Sequence, residues 1–321
     1  MRALVTGANG FIGSHLCAAL LKKGYEVRGL VRKTSNLEWL EGLELELVYG
    51  SLEDEEALSR AVEGVDLVFH TAAVVRARRK ADFVRVNCEG SERLVRVAVS
   101  AGVKRFVLFS SVAAVGPVPP GRSLSEKEIE TPVSFYGRAK LEAERAVLKY
   151  KERLHLVILR FPAVYGPRDR DGLLMWRMFL RGLAPVMGGT FSLVYVDDAV
   201  RAAVLAGEKN CPSGAVFFIS DGNCYSYYAL VRVWQDVTGK RVLCFRVPKI
   251  LALFAASLNQ WLNREGAIFN PDKVRELCQE CWVCTDPRAE TELGFKPEFD
   301  LKKGMERTLQ WYKEKGWLAR K

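Results

Sequence analysis

Three glycines near the start of the chain constrain the fold more than anything after them: Gly7, Gly10 and Gly13 in the stretch LVTGANGFIGS, residues 4–14. They stand between an apolar strand-like run, Ala3–Thr6, and a stretch of helical periodicity, Ile12–Lys23. In that setting each glycine has a physical task. The first permits a tight turn, the second lets backbone approach a pyrophosphate, and the third allows close packing of helix on strand. The unpaired N–H groups that open the helix, together with its macrodipole, favour an anion there. Gly7, Gly10, Phe11, Ile12 and Gly13 are therefore candidate binding residues for a dinucleotide.

The rest of the first half repeats the same rhythm. Strands are predicted at Glu26–Val31, Leu45–Tyr49, Leu67–His70, Arg105–Phe109 and Leu156–Arg160, with helices near Asp54–Val62, Phe83–Ala101 and Tyr136–Tyr150. This alternation gives an α/β fold, a doubly wound parallel sheet of Rossmann type with its ligand crevice at the carboxyl ends of the strands. After Gly166 the pattern loosens: a helix near Leu173–Arg181, a strand Leu193–Val196, a helix starting at Asp197 and Asp198, and a strand Val216–Ile219 that returns to the sheet. Helices dominate from Asp221 onward and end with Leu301–Lys315. The expected division is a dinucleotide-binding domain of residues 1–166 with 190–220, and a smaller, mostly helical substrate lobe of 167–189 with 221–321.

At 321 residues, 49% hydrophobic and 27% charged, the chain can bury a sizeable core. No apolar run approaches the roughly 18 residues of a membrane span, and Met1 and Arg2 lead straight into a strand without room for a signal peptide. A cytoplasmic location is expected. Ile250–Leu262, flanked by Lys249 and Arg264, reads as an amphipathic helix that either covers the substrate pocket or lies on a membrane surface. The net charge of +10 comes from scattered residues. Its one dense cluster, Arg76, Arg78, Arg79 and Lys80, has no interleaved aromatics and no nucleic-acid-binding motif around it, so it reads as a solvated basic face and no nucleic-acid partner is expected. Cys278, Cys281 and Cys284 have CxxCxxC spacing, but no fourth cysteine follows for a cluster. Buried thiols at a helix end passing into a short strand (Cys281–Thr285) are the expectation, with no metal.

Tyr136 and Lys140 are four residues apart on a predicted helix and share a face. A phenol with pKa near 10 is a poor acid–base group at neutral pH, and an adjacent ammonium would lower it. Ser110 and Ser111 follow the strand Arg105–Phe109, whose end faces the same crevice, so a serine hydroxyl there could polarise a carbonyl. The strand Glu26–Val31 ends without the carboxylate that binds ribose hydroxyls in NAD enzymes. Arg32 and Lys33 follow it instead and would attract a ribose phosphate, which favours NADP over NAD.

With TGANGFIG (Thr6–Gly13), HTAA (His70–Ala73), VNCEGS (Val86–Ser91), the serine pair, Tyr136-xxx-Lys140, YGP (Tyr165–Pro167) and YVDD (Tyr195–Asp198) in this order, the chain resembles the extended short-chain dehydrogenase/reductases. That superfamily includes the NAD-dependent epimerases and dehydratases, and the resemblance spans almost the whole length. It implies Tyr136 as proton donor or acceptor, Lys140 on the nicotinamide ribose, and Ser111 orienting the substrate carbonyl. It also implies Thr71, Ala72 and Ala73 lining the cofactor, and Pro162 and Val164 near the nicotinamide. Ser51 and Leu52 fall at the adenine side, where the family usually has Asp in place of Ser51. Asn87 would either join a water relay or pack its helix.

Nucleotide-sugar members generally carry Asn three residues after the arginine that ends the sixth strand; here Ala163 follows Arg160 at that distance. The stretch RFPAVYGPRDRDG is closer to dihydroflavonol-reductase-like and hydroxysteroid-dehydrogenase-like members. The resemblance thus implies an NAD(P)-dependent alcohol–ketone oxidoreductase acting on a small, fairly apolar molecule, with homodimerisation through Phe83–Ala101 and Tyr136–Tyr150. The other readings are a nucleotide-sugar epimerase or dehydratase with recycled cofactor, and a non-enzymatic NADP-binding regulator. Such regulators tend to lose the tyrosine or the lysine, and this chain has both.

Overall fold

Alternate residues of the central strands are apolar on both sides, which requires a sheet covered on two faces, and the computed structural model has that arrangement. It describes residues 1–77, 79–126, 128–262, 267 and 269–318. Arg78, Asn263 and Arg264 lie outside the described residues. Seven strands, β1 (Arg2–Thr6), β2 (Glu26–Val31), β3 (Glu46–Tyr49), β4 (Leu67–His70), β5 (Arg105–Ser111), β6 (His155–Phe161) and β7 (Ala215–Phe218), form one sheet in the order β3-β2-β1-β4-β5-β6-β7. All its pairings are parallel. Val5, Phe69, Val107 and Leu159 turn to one apolar layer with α1 (Phe11–Lys22) and α6 (Val196–Glu208). Leu4, Val68, Leu108 and Ile158 turn to the other, with α2 (Glu55–Val62), α3 (Gly90–Ser100) and α4 (Phe135–Leu148). The strand order reverses between β1 and β4, and there the loops at their carboxyl ends diverge to leave a crevice.

The helix predicted over Phe83–Ala101 is built in pieces. A short helical turn, Lys80–Phe83, passes into a π-helical turn, Val84–Glu89, before α3 resumes the usual pitch. Such wide turns often mark functional sites. This one carries Asn87, whose carboxamide oxygen accepts from the Val74 N–H at 2.7 Å and whose amide donates to the Val74 carbonyl at 2.9 Å. Its amide thus clamps the loop that follows β4.

The C-terminal half adds α5 (Arg170–Leu180), α7 (Tyr227–Thr238), α8 (Lys249–Leu262), α9 (Pro271–Leu277) and α10 (Leu301–Glu314). Trp176 and Phe179 of α5, Trp234 of α7 and Met305 and Tyr312 of α10 share an apolar cluster, with Trp176 and Phe179 edge-on to Trp234 at 5.8 and 5.4 Å between centroids. Short strands brace it: Leu183–Val186 on Leu243–Arg246, and Thr190–Phe191 between Tyr225–Ser226 and Cys281–Trp282. Cys281 and Cys284 are buried in an apolar cluster with Val112, Val115 and Phe218, and Cys278 is half-buried beside α8. The strand there stops at Trp282, and Cys284 makes a single bridge to Leu124. Among the described residues no helix is long and apolar enough to cross a membrane.

Candidate active site

At the crevice the backbone itself selects glycine. Gly7 sits at φ +67°, and a Cβ there would meet the Ala72 Cα at 2.9 Å. A side chain on Gly13 would run into the Gly7 carbonyl, which fixes α1 against the end of β1. At Gly10 only the Gly7 oxygen, at 3.1 Å, lies near a would-be Cβ, so that side of the backbone is open. Gly10 caps α1 without any side-chain hydrogen bond. The first N–H groups of α1 have no partner within the helix by geometry and point toward the crevice mouth. A cradle of glycine backbone on an uncapped helix start fits a dinucleotide pyrophosphate.

One residue beside this loop carried no sequence signal. Arg168 adopts a left-handed conformation at φ 70°, a strained state for a side chain of this size. Its guanidinium donates to Ser14 Oγ at 3.0 Å and lies 5.5 Å over the Trp39 ring. A cation is thereby held at the first turn of α1, where anionic phosphate is expected.

The other wall of the crevice is fixed by a buried polar relay. The Thr71 hydroxyl donates to the Thr6 carbonyl at 2.6 Å, and Thr6 Oγ1 accepts from the Ala72 N–H at 3.2 Å. Thr6 Oγ1 also lies 2.7 Å from His70 Nδ1, and His70 Nε2 lies 2.8 Å from Ser91 Oγ, which donates to the Asn87 carbonyl. With Ser91 donating onward, the network assigns His70 as the neutral Nε2–H tautomer. Burial agrees, holding this imidazole down to about 3. Thr71, Ala72 and Ala73 are thus set at the end of β4 beside the glycine turn.

Ser111 is the last residue of β5, two residues longer than the predicted strand. Ser134 caps α4 by accepting from the Gly137 N–H at 2.9 Å, and this starts the helix so that Tyr136 and Lys140 face the end of β5. Burial, with a smaller push from the Glu276 carboxylate, raises the Tyr136 phenol above the ordinary tyrosine range. The nearby Ser111 hydroxyl pulls back only part of that. This differs from the sequence expectation of a phenol lowered by Lys140. The lysine does share the helix face, but its Nζ donates to the Phe109 carbonyl instead. Burial lowers the lysine to about 8, with Glu144 opposing the shift.

Behind the serine pair lies a charged cluster without a local sequence signature. Ser110 donates to Glu144, whose carboxylate takes three further bonds from Arg160, at 3.1 and 3.2 Å from Nε and 2.6 Å from Nη2. Glu130 takes another Arg160 bond at 2.9 Å. The C-terminal half also grips α4: Asp272 accepts from the Phe135 N–H at 2.9 Å, and the Ser134 hydroxyl donates to Glu276 at 2.6 Å. Both acids are on α9. The basic cluster is less free than its charge suggested. Arg76 pairs with Asp171 at the start of α5, and Lys80 lies 4.1 Å over the Phe135 ring.

Comparison with known proteins agrees with this geometry. Residues 3–219 match the model of the NAD dependent epimerase/dehydratase family. The chain belongs to this family. A ceramide reductase of Caulobacter vibrioides is 32% identical over 98% of the chain and 96% of its own length. A 3-beta-hydroxysteroid dehydrogenase of Mycolicibacterium neoaurum is 28% identical over 97% of the chain and 91% of its own length. The solved dTDP-glucose 4,6-dehydratase of Streptomyces venezuelae, which holds NAD, superposes with a TM-score of 0.80 at 27% identity, over 99% of the chain and 98% of its own. The family thus includes both reductases or dehydrogenases and nucleotide-sugar enzymes among the chain's relatives.

The remaining residues implied by the resemblance follow the carboxyl ends of β2, β3 and β6. Ser51 Oγ accepts from the Glu53 N–H at 3.2 Å in the turn before α2, and the buried Leu52 packs on Gly90. Pro162 and Val164 follow β6, with Val164 paired to Val194 in a short parallel ladder, and Ala163 between them is exposed. Arg32 and Lys33 are exposed just beyond β2.

Proposed function

We propose that this family member is an NADP-dependent oxidoreductase that interconverts an apolar ketone and its secondary alcohol. The observation that carries the reading is the placement of Ser111 at the end of β5 with Tyr136 and Lys140 on the face of α4 turned to that strand, where Lys140 donates to the Phe109 carbonyl. Bound on the glycine loop, the nicotinamide dinucleotide supplies or accepts the hydride. Gly7, Gly10, Phe11, Ile12 and Gly13 hold its pyrophosphate; Ser51, Leu52, Thr71, Ala72 and Ala73 line its length; Pro162 and Val164 border the reacting end. In reduction, the Ser111 hydroxyl orients the substrate carbonyl and the Tyr136 phenol donates a proton to its oxygen. A phenol raised by burial is protonated at neutral pH, as a donor must be. Lys140, its Nζ on the Phe109 carbonyl, is the cation that would hold the nicotinamide ribose beside the phenol.

Two relatives with reductase or dehydrogenase names support this choice. The exposed methyl of Ala163, where nucleotide-sugar members place an amide, weighs against a sugar nucleotide. The test is stoichiometry. With an apolar ketone and added NADPH, the protein should consume one cofactor per alcohol formed. If it interconverted nucleotide sugars with no net cofactor consumption, it would be an epimerase or dehydratase instead. The same reading includes a homodimer through α3 and α4, which light scattering would reveal as twice the chain mass of 36.0 kDa.

The choice of NADP rests on Arg32 and Lys33. No carboxylate ends β2 to claim the ribose hydroxyls, and both cations are solvent-exposed, free to reach a ribose phosphate. Charge-assisted bonds there, weakened by solvent screening, give an expected tenfold to hundredfold preference for NADPH, or about 1.4–2.8 kcal/mol. Fluorescence titration of NADPH and NADH measures it directly. The double variant Val31→Asp with Arg32→Ser should reverse the order. Equal affinities in the parent would sink the assignment.

A further inference from the structure

We propose that α8 and the strand before it form a docking surface for an anionic lipid bilayer. Ile250, Leu251, Phe254, Leu258, Trp261 and Leu262 are all exposed, Phe254 by 71% and Trp261 by 78%. At 100° per residue they fall within an arc of about 120° on the helix. The opposite face, Ala252 and Ala256, is buried against Met187 and Val274. The amphipathic pattern is thus inverted relative to a helix that merely closes a core: its large side chains face outward and its small ones inward. The patch continues along the preceding strand, where Leu243 and Phe245 are exposed and Leu243 pairs with the exposed Leu183. Contiguous apolar surface on this scale marks an interaction site.

Charge selects the occupant. From Val237 to Arg264 the sequence contains no Asp or Glu, while Lys240, Arg241, Arg246 and Lys249 supply four cations. All four are exposed, and none forms an ion pair among the described residues. A second copy of the chain would bring this positive rim against itself. An anionic headgroup layer neutralises it, takes the apolar side chains at its acyl boundary, and suits a tryptophan at the interface. The helix, about 21 Å long, would lie in the plane of the membrane and does not cross it.

The surface is mechanically close to the chemistry. Val274 of α9 packs beneath α8, and Asp272 and Glu276 of α9 hold the start of the Tyr136 helix. That the patch also admits substrate from the bilayer rests on the proposed reduction of an apolar ketone; the docking itself does not. The test therefore uses no turnover. In vesicle flotation, the protein should rise with phosphatidylcholine vesicles containing phosphatidylglycerol, rise less with phosphatidylcholine alone, and be released in part by salt. Phe254→Ser with Trp261→Ser should lower partitioning by at least about tenfold, with NADPH affinity and melting temperature unchanged. Arg246→Glu with Lys249→Glu should remove the dependence on phosphatidylglycerol. Parent protein that stays with the soluble fraction would overturn the proposal. So would serine variants that float as well as the parent, or that fail only to self-associate in light scattering, which would assign the face to a second copy.

Discussion

Tyr136→Phe should lower turnover of an apolar ketone by about a hundred- to ten-thousandfold, while NADPH affinity stays within a few fold. The hydroxyl is the only group the substitution removes. It lies on α4 near the Ser111 hydroxyl, and the glycine loop that would hold the pyrophosphate belongs to β1 and α1. Ring packing against Phe83, at 6.4 Å between centroids, is retained. Loss of turnover with unchanged cofactor binding therefore isolates proton transfer. Lys140 adds a pH signature. Reduction needs a protonated Lys140, so kcat should be full at low pH and fall as pH rises through about 8, the value to which burial lowers this lysine. A variant that remains active on a true ketone would show that another group delivers the proton.

The parts of the site that were legible in the sequence are those whose physics is local. Gly7 and Gly13 are selected by sterics between residues a few positions apart, plus the approach of Ala72. Tyr136 and Lys140 share a face because a helix repeats every 3.6 residues. Strand spans were read to within two residues because β4, β5 and β6 are short runs of buried, mostly apolar residues. What was not legible depends on contacts distant in sequence. Nothing near α4 announces that Asp272 and Glu276 will seat its first turn, and nothing near Arg160 points to Glu144 and Ser110. The π-helical turn at Val84–Glu89 absorbs one extra residue without interrupting the apolar pattern, so Phe83–Ala101 read as a regular helix. Periodicity likewise placed Phe254 and Trp261 on one face of α8 but could not say that this face turns outward. The lysine effect on Tyr136 failed for a related reason: spacing puts the two on one face, while the Phe109 carbonyl, a tertiary neighbour, takes the ammonium.

The cluster behind the serines carries the largest stability effect. Arg160 and Glu144 are 4% and 1% exposed, so neither charge has access to solvent, and the carboxylate satisfies the guanidinium through Nε and Nη2 as well as the Ser110 hydroxyl. Glu144→Leu would leave a buried cation with Glu130 as its remaining acidic partner, at 2.9 Å from Nη2. Removing one member of such a pair costs about 3–5 kcal/mol, which urea unfolding should read as a lower midpoint at unchanged slope. Glu130→Gln is the control. Glu130 is partly exposed and its loss leaves the main pair intact, so about 1 kcal/mol or less is expected. Joining Glu144→Leu with Arg160→Met should recover much of the loss, because the cost lies in the uncompensated charge and not in the absence of the pair. A double variant no more stable than Glu144→Leu alone would instead assign the cost to the cavity and to the lost Ser110 bond. Since Ser110 adjoins Ser111, both single variants at this cluster should also be assayed for turnover, where displacement of the serine lowers kcat with NADPH affinity unchanged.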